Sequence, residues 1–190
     1  MRKEILILAS AIILLCSNSC KKVSTSSTNQ LPPLTTQGLN TFGCLVNGNL
    51  FIPQRPWSDP ESFYGCFYQY IYADTSKPFV FEVWGEDKPK ANDFTVVQIE
   101  LDSIKLHQGD VFQLGVSGKR KKYGVYMYSP PSIAGIINYG TSDVLTGQIA
   151  ITFLDQVNLI ASGTFWFDAA DGTGDTVHIT QGRFDMHFTP

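Results

Sequence analysis

The residue types best suited to chemistry in this chain are two glutamates that flank a tryptophan. Glu82, Trp84 and Glu86 occupy alternate positions, so in a β-strand all three side chains point to the same face. Two carboxyl groups held about 5–9.5 Å apart can hydrolyse a glycosidic bond. A hydrolase built on Glu82 and Glu86 is therefore one hypothesis, and we rank it below two non-catalytic ones.

Tyrosines of two predicted strands form a second candidate site. Exposed tyrosine rings stack on sugars and their hydroxyls form hydrogen bonds, so such a face predicts binding of a glycan or another small ligand. Packing of the same rings at the rim of the core is the alternative, because Phe63 and Phe67 make the opposite face of the first strand apolar as well. The candidate ligand-binding residues are Tyr64, Tyr68, Tyr70, Tyr72, Tyr126 and Tyr128.

Catalytic and metal-binding signatures are absent from the sequence. It contains no Gly-rich phosphate loop, no His-Glu-x-x-His helix and no nucleophile elbow. His178 and His187 could approach each other across the last two strands, with Asp168 or Asp185 nearby, which is the kind of cluster a metal requires. Histidines on the outer face of a strand are usually solvated, however, so we predict no metal, no cofactor and no catalytic residue.

Cys44 and Cys66 are the candidates for a disulfide bond. In an oxidising compartment, closing a loop of about 22 residues would contribute roughly 3 kcal/mol in the chain-entropy model. The alternative is that both are small buried hydrophobic residues, because each lies in a strand-like run.

Strand-like runs separated by turn residues recur from about residue 42 to the end of the chain. Asn47-Gly48 and Asp171-Gly172 are typical turn pairs. No segment of this region has a sustained helical period. The pattern predicts an all-β fold, an antiparallel β-sandwich of roughly ten or more short strands, with a β-barrel as the alternative.

The two strand-like runs over about 160–168 and 175–181, joined through Asp171-Gly172, predict a specific register. Keeping the apolar residues on one face pairs Phe165 with Ile179 and sets His178 opposite Trp166. Further along, the apolar residues switch from odd to even positions, which an unbroken strand cannot do. We therefore predict an extra residue, in a bulge or turn, near Gly182.

The N-terminus has the form of an export signal that ends at a cysteine. A short basic start precedes an apolar run that ends at Leu15 and is about 11 residues long, whereas a membrane-spanning helix needs about 20. Small Ser19 precedes Cys20, which resembles a bacterial lipoprotein box. We predict a cleaved signal peptide over 1–19 and lipidation of Cys20.

The remaining sequence divides into a tether and one domain. Residues 20–40 are predicted to be the lipidated cysteine and a disordered tether, because Ser, Thr, Asn, Gln and Pro predominate. Residues 41–190 are predicted to form a single β-sandwich domain, which is long enough to bury a core. The net charge of −3 provides no basic field for nucleic acid. Lys119–Lys122 is interpreted as a solvated turn, with contact to anionic lipid as the alternative.

A distinctive block follows the tether-like stretch: Leu31-Pro-Pro-Leu-Thr-Thr-Gln-Gly-Leu-Asn-Thr-Phe-Gly-Cys44-Leu-Val-Asn-Gly48. This block and, less specifically, Ser162–Phe167 and Ile179–Phe184 resemble a family of Bacteroidetes lipoproteins of unknown function. It implies an exported, β-rich lipoprotein at the outer membrane, and it implies no activity. Acidic residues after the lipidated cysteine often mark surface export in these lipoproteins. Lys21 and Lys22 stand there instead, which favours a periplasm-facing position.

Ser103 and Thr176 are candidate O-glycosylation sites. Asp102-Ser103-Ile104 and Asp175-Thr176-Val177 are similar to the signal used on exported Bacteroidetes proteins.

Together these patterns predict a lipid-anchored envelope protein without catalytic activity. The leading hypothesis is a structural or interaction module whose partner is an envelope protein. The second is a glycan- or small-ligand-binding protein that uses the tyrosine face. The membrane, through the lipid anchor, is a partner in either case.

Overall fold

The structure is a computed structural model that describes residues 30–54, 63–70, 79–90, 93–115, 122–132 and 135–190. Within these ranges the chain forms eleven strands joined by turns and contains no helix. The predicted antiparallel all-β class is confirmed. The described residues accordingly include no helix long and apolar enough to cross a membrane. The predicted signal peptide and Cys20 lie outside these ranges.

The strands follow the predicted runs closely. The clearest differences are that the strand-like run over about 79–85 extends to Lys90, and that the runs over about 175–181 and 183–188 form one continuous strand. The strands are β1 Thr41–Val46, β2 Asn49–Phe51, β3 Tyr64–Tyr70, β4 Phe79–Lys90, β5 Asp93–Leu101, β6 Val111–Leu114, β7 Lys122–Ser129, β8 Ile137–Gly140, β9 Gly147–Asp155, β10 Ile160–Ala170 and β11 Thr176–His187.

All eleven strands belong to one curled antiparallel sheet. We call the strands on the two sides of its β10–β8 junction the two layers, and they face each other across the core. The first layer has the order β2-β1-β11-β10-β9-β6, and the second has the order β8-β7-β5-β4-β3. The layers are joined between β10 and β8 by a single residue pair, Ala170 with Gly140. At the other end, the β3 backbone hydrogen-bonds to Thr189 and the β4 backbone to Gln54. The sheet therefore lies between the sandwich and the barrel of the sequence prediction.

Alternating side chains from both layers fill the space between them. The rings of Phe81 and Phe184 lie 6.0 Å apart across the core. The ring of Phe167 lies against Gly124, where a Cβ atom would come within 2.7 Å of it. Each large apolar side chain that is fully buried in this way contributes about 1.5–3 kcal/mol to the stability of the fold. The interior of the curled sheet is thus a packed core.

One buried carboxylate fixes the N-terminal segment to the sheet. Asp185 lies on the outer face of β11 and is only 1% exposed. It accepts hydrogen bonds from the hydroxyls of Thr35 and Ser162, at 2.5 and 2.8 Å. The backbone amides of residues 37–39 also donate to it, the shortest from Gly38 at 2.9 Å. Asp185 therefore holds residues 35–39, which we call the strap, across the outside of β11.

The strap changes the predicted domain boundary. The sequence predicted a disordered tether through residue 40, but residues 31–40 belong to the domain. Besides the Asp185 contacts, Asn40 accepts a hydrogen bond from the backbone of His187, and Arg183 donates one to the carbonyl of Pro32. Polar residues of low hydrophobicity are usually left in solvent, and sequence composition alone cannot reveal a carboxylate about 150 residues away that binds them.

Asp185 is expected to link stability to pH. Burial alone would raise the pKa of this carboxyl, but the hydrogen bonds from Thr35, Ser162, Gly38 and Gln37 outweigh burial and lower the pKa below its ordinary value. The stability it contributes is complete above the unfolded pKa of about 4 and is lost as the pH falls through the folded pKa.

We expect Asp185→Asn to lower the free energy of unfolding by about 2–3 kcal/mol at pH 7, because the amide cannot accept all five hydrogen bonds. Urea denaturation at pH 7 and below pH 4 measures this, and the difference from the wild type should shrink at the lower pH. Asp143→Asn, in an exposed turn, is the matched control. Equal stability of Asp185→Asn and wild type at pH 7 would show that the clamp contributes nothing.

The β10–β11 hairpin has the predicted bulge but a different register. Phe167 pairs with Ile179, and Asp168, not Trp166, lies opposite His178. The pairing is thus shifted by two residues, because the loop holds only residues 171–175, in which Asp171 accepts backbone hydrogen bonds. A shift of two preserves the inward faces, so periodicity alone could not exclude it.

The bulge lies where the parity switch predicted it. Two residues of β11 lie opposite Trp166, and the left-handed backbone conformation is that of Gln181, with φ of 52°. Gly182 has a different role from the one expected. A Cβ atom there would lie 2.4 Å from the ring of Phe165, so Gly182 leaves space for that ring.

We expect Gly182→Ala to lower the free energy of unfolding by about 1–3 kcal/mol, because the added methyl overpacks the core beside Phe165. Gly172→Ala is the matched control, since nothing lies within 4 Å of its Cβ position. Thermal unfolding of both variants measures the difference. Equal melting temperatures for the two variants would contradict the packing role of Gly182.

Candidate functional site

Among the described residues, the tyrosines of the predicted ligand-binding face do not form an exposed surface. Tyr68 is 5% exposed and its hydroxyl accepts a hydrogen bond from the amide of Leu106 at 2.9 Å. Tyr64 and Tyr126 pack against the core, and Tyr128 shares the inward side of β7 with Tyr126. The side chain of Tyr70 and all of Tyr72 lie outside the described residues. The described tyrosine rings therefore fit the alternative prediction, in which they pack at the rim of the core.

The two cysteines are buried and unbridged. Cys44 lies in β1 and Cys66 in β3, and both are free thiols in the structure. Burial raises the pKa of both thiols, and nearby Glu82 raises that of Cys66 further. The structure thus corresponds to the alternative of two small hydrophobic residues, and neither thiol has the thiolate character that a nucleophile requires.

The histidines do not form a cluster. His178 and His187 lie on the same strand, nine positions and about 30 Å apart. His107 is 3.4 Å from Asp110 in an exposed turn. His178 lies 2.7 Å from Asp168 across the hairpin. In the part of the chain that the structure describes, no three His, Cys, Asp or Glu side chains lie close enough to hold a metal ion.

The two candidate glycosylation sites lie in different environments. Thr176 is exposed at the start of β11. Ser103 is half-buried in the loop after β5, with its hydroxyl donating to the carboxylate of Asp102 at 3.0 Å. Modification of either residue stays a prediction.

A carboxylate pair lies on the outer face of the second layer. Glu82 in β4 is directly opposite Glu100 in β5, and Glu100 is directly opposite Tyr123 in β7. Side chains in such positions have Cβ atoms about 5 Å apart. The hydroxyl of Tyr123 donates to Glu100 at 2.5 Å. Sequence spacing had paired Glu82 with Glu86 instead, but their Cα atoms are about 13 Å apart along the strand.

The environment of this pair disfavours charge on Glu82. Burial and then repulsion from Glu100 raise the pKa of Glu82 above its ordinary value. Burial and the hydrogen bond to Glu100 raise the pKa of the Tyr123 hydroxyl, which keeps it a donor. Among the described residues no cationic side chain pairs with Glu82 or Glu100.

The carboxylate pair is surrounded by half-buried aromatic and aliphatic side chains. The indole of Trp84 lies over Gly65 of β3, where a Cβ atom would come within 2.5 Å of its Nε1 atom. Phe67 is directly opposite Glu82, and Gln98 is directly opposite Trp84. We call this surface the outer carboxylate face, and its residues are Phe67, Glu82, Trp84, Gln98, Glu100, Tyr123, Val125 and Met127.

Only part of this surface was visible in the sequence. Alternation correctly placed Glu82 and Trp84 on one face. Glu100 and Tyr123 were missed because their contacts with Glu82 depend on which strands are neighbours in the sheet. The informative signal would have been a polar residue at an outward position in each of three predicted strands, but sequence gives no strand order.

We expect Glu100→Gln to lower the pKa of Glu82 towards its ordinary value, because the nearby negative charge is removed. Asp143→Asn, remote in an exposed turn, should leave the pKa of Glu82 unchanged. Carboxyl-carbon NMR titration of Glu82 provides the measurement. Since a raised folded pKa makes stability fall as the pH rises through it, Glu100→Gln should also weaken that fall. An unchanged titration of Glu82 in Glu100→Gln would contradict the assigned repulsion.

Comparison of the chain with known protein families, curated proteins and solved structures gives no significant match. The resemblance to Bacteroidetes lipoproteins therefore stays a prediction.

Proposed function

We propose that this protein is a lipid-anchored, non-catalytic interaction module of the bacterial envelope. Its partner is an envelope protein that docks on the outer carboxylate face. The anchor is the lipid on Cys20, in the outer membrane and facing the periplasm. The observation that carries the docking proposal is the Glu82–Glu100 carboxylate pair, which has no cationic partner among the described residues and lies at the centre of a half-buried apolar surface.

The anchor and the strap together limit how far the domain extends from the membrane. Pro32, whose carbonyl accepts a hydrogen bond from Arg183, lies twelve positions after Cys20. A fully extended chain of this length reaches at most about 43 Å. Because the strap is held to β11, the tether is short, and the domain stays close to the lipid surface. This suits a protein that meets its partner at the membrane.

The chemistry of the outer carboxylate face specifies the kind of partner. Apolar side chains such as Trp84, Val125 and Met127 are half-buried, and covering them would gain about 25 cal/mol per Å² of apolar surface. Two opposed carboxylates at the centre require a positive charge from the partner, which also steers the encounter. The partner is therefore a protein with an apolar surface that carries a central Lys or Arg.

The same geometry argues for binding and against the proposed hydrolase. Glu86, the second carboxylate of that hypothesis, lies too far along β4 from Glu82 for the separation that a glycosidase pair needs. Glu100 lies close to Glu82, but its carboxylate already accepts the hydrogen bond of Tyr123. We therefore assign Glu82 and Glu100 to recognition.

The test is a pull-down of the tagged, natively lipidated protein from detergent-solubilised envelopes, with quantitative mass spectrometry. We expect one stoichiometric protein partner with the wild type and at least about tenfold less with Glu82→Lys, because a reversed charge would face the partner's cation. Asp143→Lys is the matched control and should retain the partner.

Two outcomes would contradict the proposal. One is a wild-type protein that carries no stoichiometric protein partner. The other is a partner retained equally by Glu82→Lys and Asp143→Lys, which would place the interface elsewhere. Circular dichroism of the purified variants establishes that each is folded.

A further inference from the structure

A second outward surface, on the opposite layer, combines an exposed tryptophan with free polar groups. Trp166 in β10 is 42% exposed, although it lies in an inner strand of the layer between β9 and β11. Its ring thus stands on a rigid part of the sheet. The bulge in β11 places two exposed polar residues, Thr180 and Gln181, opposite Trp166 on that side.

Polar side chains surround this indole on the same outer face. Gln148 of β9 is directly opposite Trp166, and Gln113 of β6 is directly opposite Gln148. These residues form a row across three neighbouring strands, roughly 10 Å long. Asp168, two positions along β10, and His178, opposite it in β11, lie beside the row with their Oδ1 and Nδ1 atoms 2.7 Å apart. We call these five residues the Trp166 platform.

Several polar atoms of the Trp166 platform have no hydrogen-bond partner among the residues that the structure describes. The His178 imidazole is hydrogen-bonded to Oδ1 of Asp168. Among the described residues, no group forms a hydrogen bond with Oδ2 of Asp168, Nε2 of His178 or the side-chain amide of Gln148. The exposed fractions of the His178 and Asp168 side chains are 59% and 37%. Their contact orients a carboxylate and an imidazole towards solvent at the edge of the indole.

From this arrangement we propose that the Trp166 platform binds an oligosaccharide. The C–H face of a sugar ring stacks on the flat indole, as apolar groups do on aromatic rings. Its hydroxyls need a mixture of donors and acceptors around the ring, which the Gln148 amide, Asp168 Oδ2 and His178 Nε2 supply. The row is long enough for more than one sugar unit, with Gln113 bonding the second.

The proposal is independent of the outer carboxylate face, since the two surfaces lie on opposite layers of the sheet. It differs from the tyrosine face expected from the sequence, whose described rings point inward. A protein ligand would bury little apolar surface on the Trp166 platform, because the platform has a single aromatic ring among solvated polar groups. A saccharide uses both kinds of group at once.

The test is an array of immobilised oligosaccharides, including β-glucans, mannans, xylans and peptidoglycan glycan strands, probed with the full natively lipidated chain in detergent. We expect binding of at least one of these glycans. Isothermal titration with that glycan should then show at least about tenfold weaker affinity for Trp166→Ala and a smaller loss for Gln148→Ala. Val157→Ala, at an exposed apolar residue in the turn between β9 and β10, is the matched control and should bind as the wild type does.

Absence of binding to every glycan on the array would overturn the proposal. Equal affinity of Trp166→Ala and wild type would also overturn it, because the glycan would then bind elsewhere. If Trp166→Ala does not fold, Gln148→Ala and Asp168→Asn test the same surface without removing the ring, and unchanged affinity in both is the contradicting result.

Discussion

The buried carboxylate of Asp185 is the interaction on which the position of the strap depends. A charge that is 1% exposed is tolerated only when its oxygens are fully hydrogen-bonded. The donors come from residues 35–39 and from Ser162 in β10, so one side chain joins the strap, β11 and β10. Without the strap, this carboxylate would lack four of its five donors. Strap and carboxylate therefore form one unit.

This unit also accounts for the block that resembles Bacteroidetes lipoproteins. Its polar and glycine residues have structural roles: Thr35 donates to Asp185, and Gly38 has a φ of 67° and lies against the His187 ring. Asn47 and Gly48 take the positive φ values that a tight β1–β2 turn requires. These residues of the block therefore have structural roles in the fold. The surfaces proposed for binding lie elsewhere.

Both proposed surfaces follow from strand alternation in a two-layer sheet. Inward positions of β4 and β5, such as Phe81 and Ile99, are fully buried. Their outward neighbours carry the Glu82–Glu100 pair. On the other layer, Phe165 and Phe167 enter the core while Trp166 between them faces solvent. The residues that stabilise the fold and those available for recognition therefore alternate along the same strands, which gives the recognition residues a rigid base.

The sequence predicted the class of fold, most strand positions and the bulge, because periodicity and turn residues are local signals. It also predicted that Glu82 and Trp84 share one face of their strand. It did not distinguish the inner from the outer side of β3, where Tyr64 and Tyr68 alternate with the apolar Phe63 and Phe67. Nor did it predict the contacts of Asp185 or of Glu82 with Glu100. These depend on strand neighbours far apart in the chain, and a two-residue register shift leaves every local pattern unchanged.

The most direct measurement of the central claim is native-state hydrogen exchange of the strap amides, above all that of Gly38, which donates to Asp185 at 2.9 Å. If the strap and β11 form one unit, this amide exchanges only through large-scale opening, with protection close to that of the core amides of β11. Exchange of Gly38 at the rate of an unstructured chain, with β11 still protected, would contradict the account. Residues 31–40 would then belong to the disordered tether that the sequence predicted.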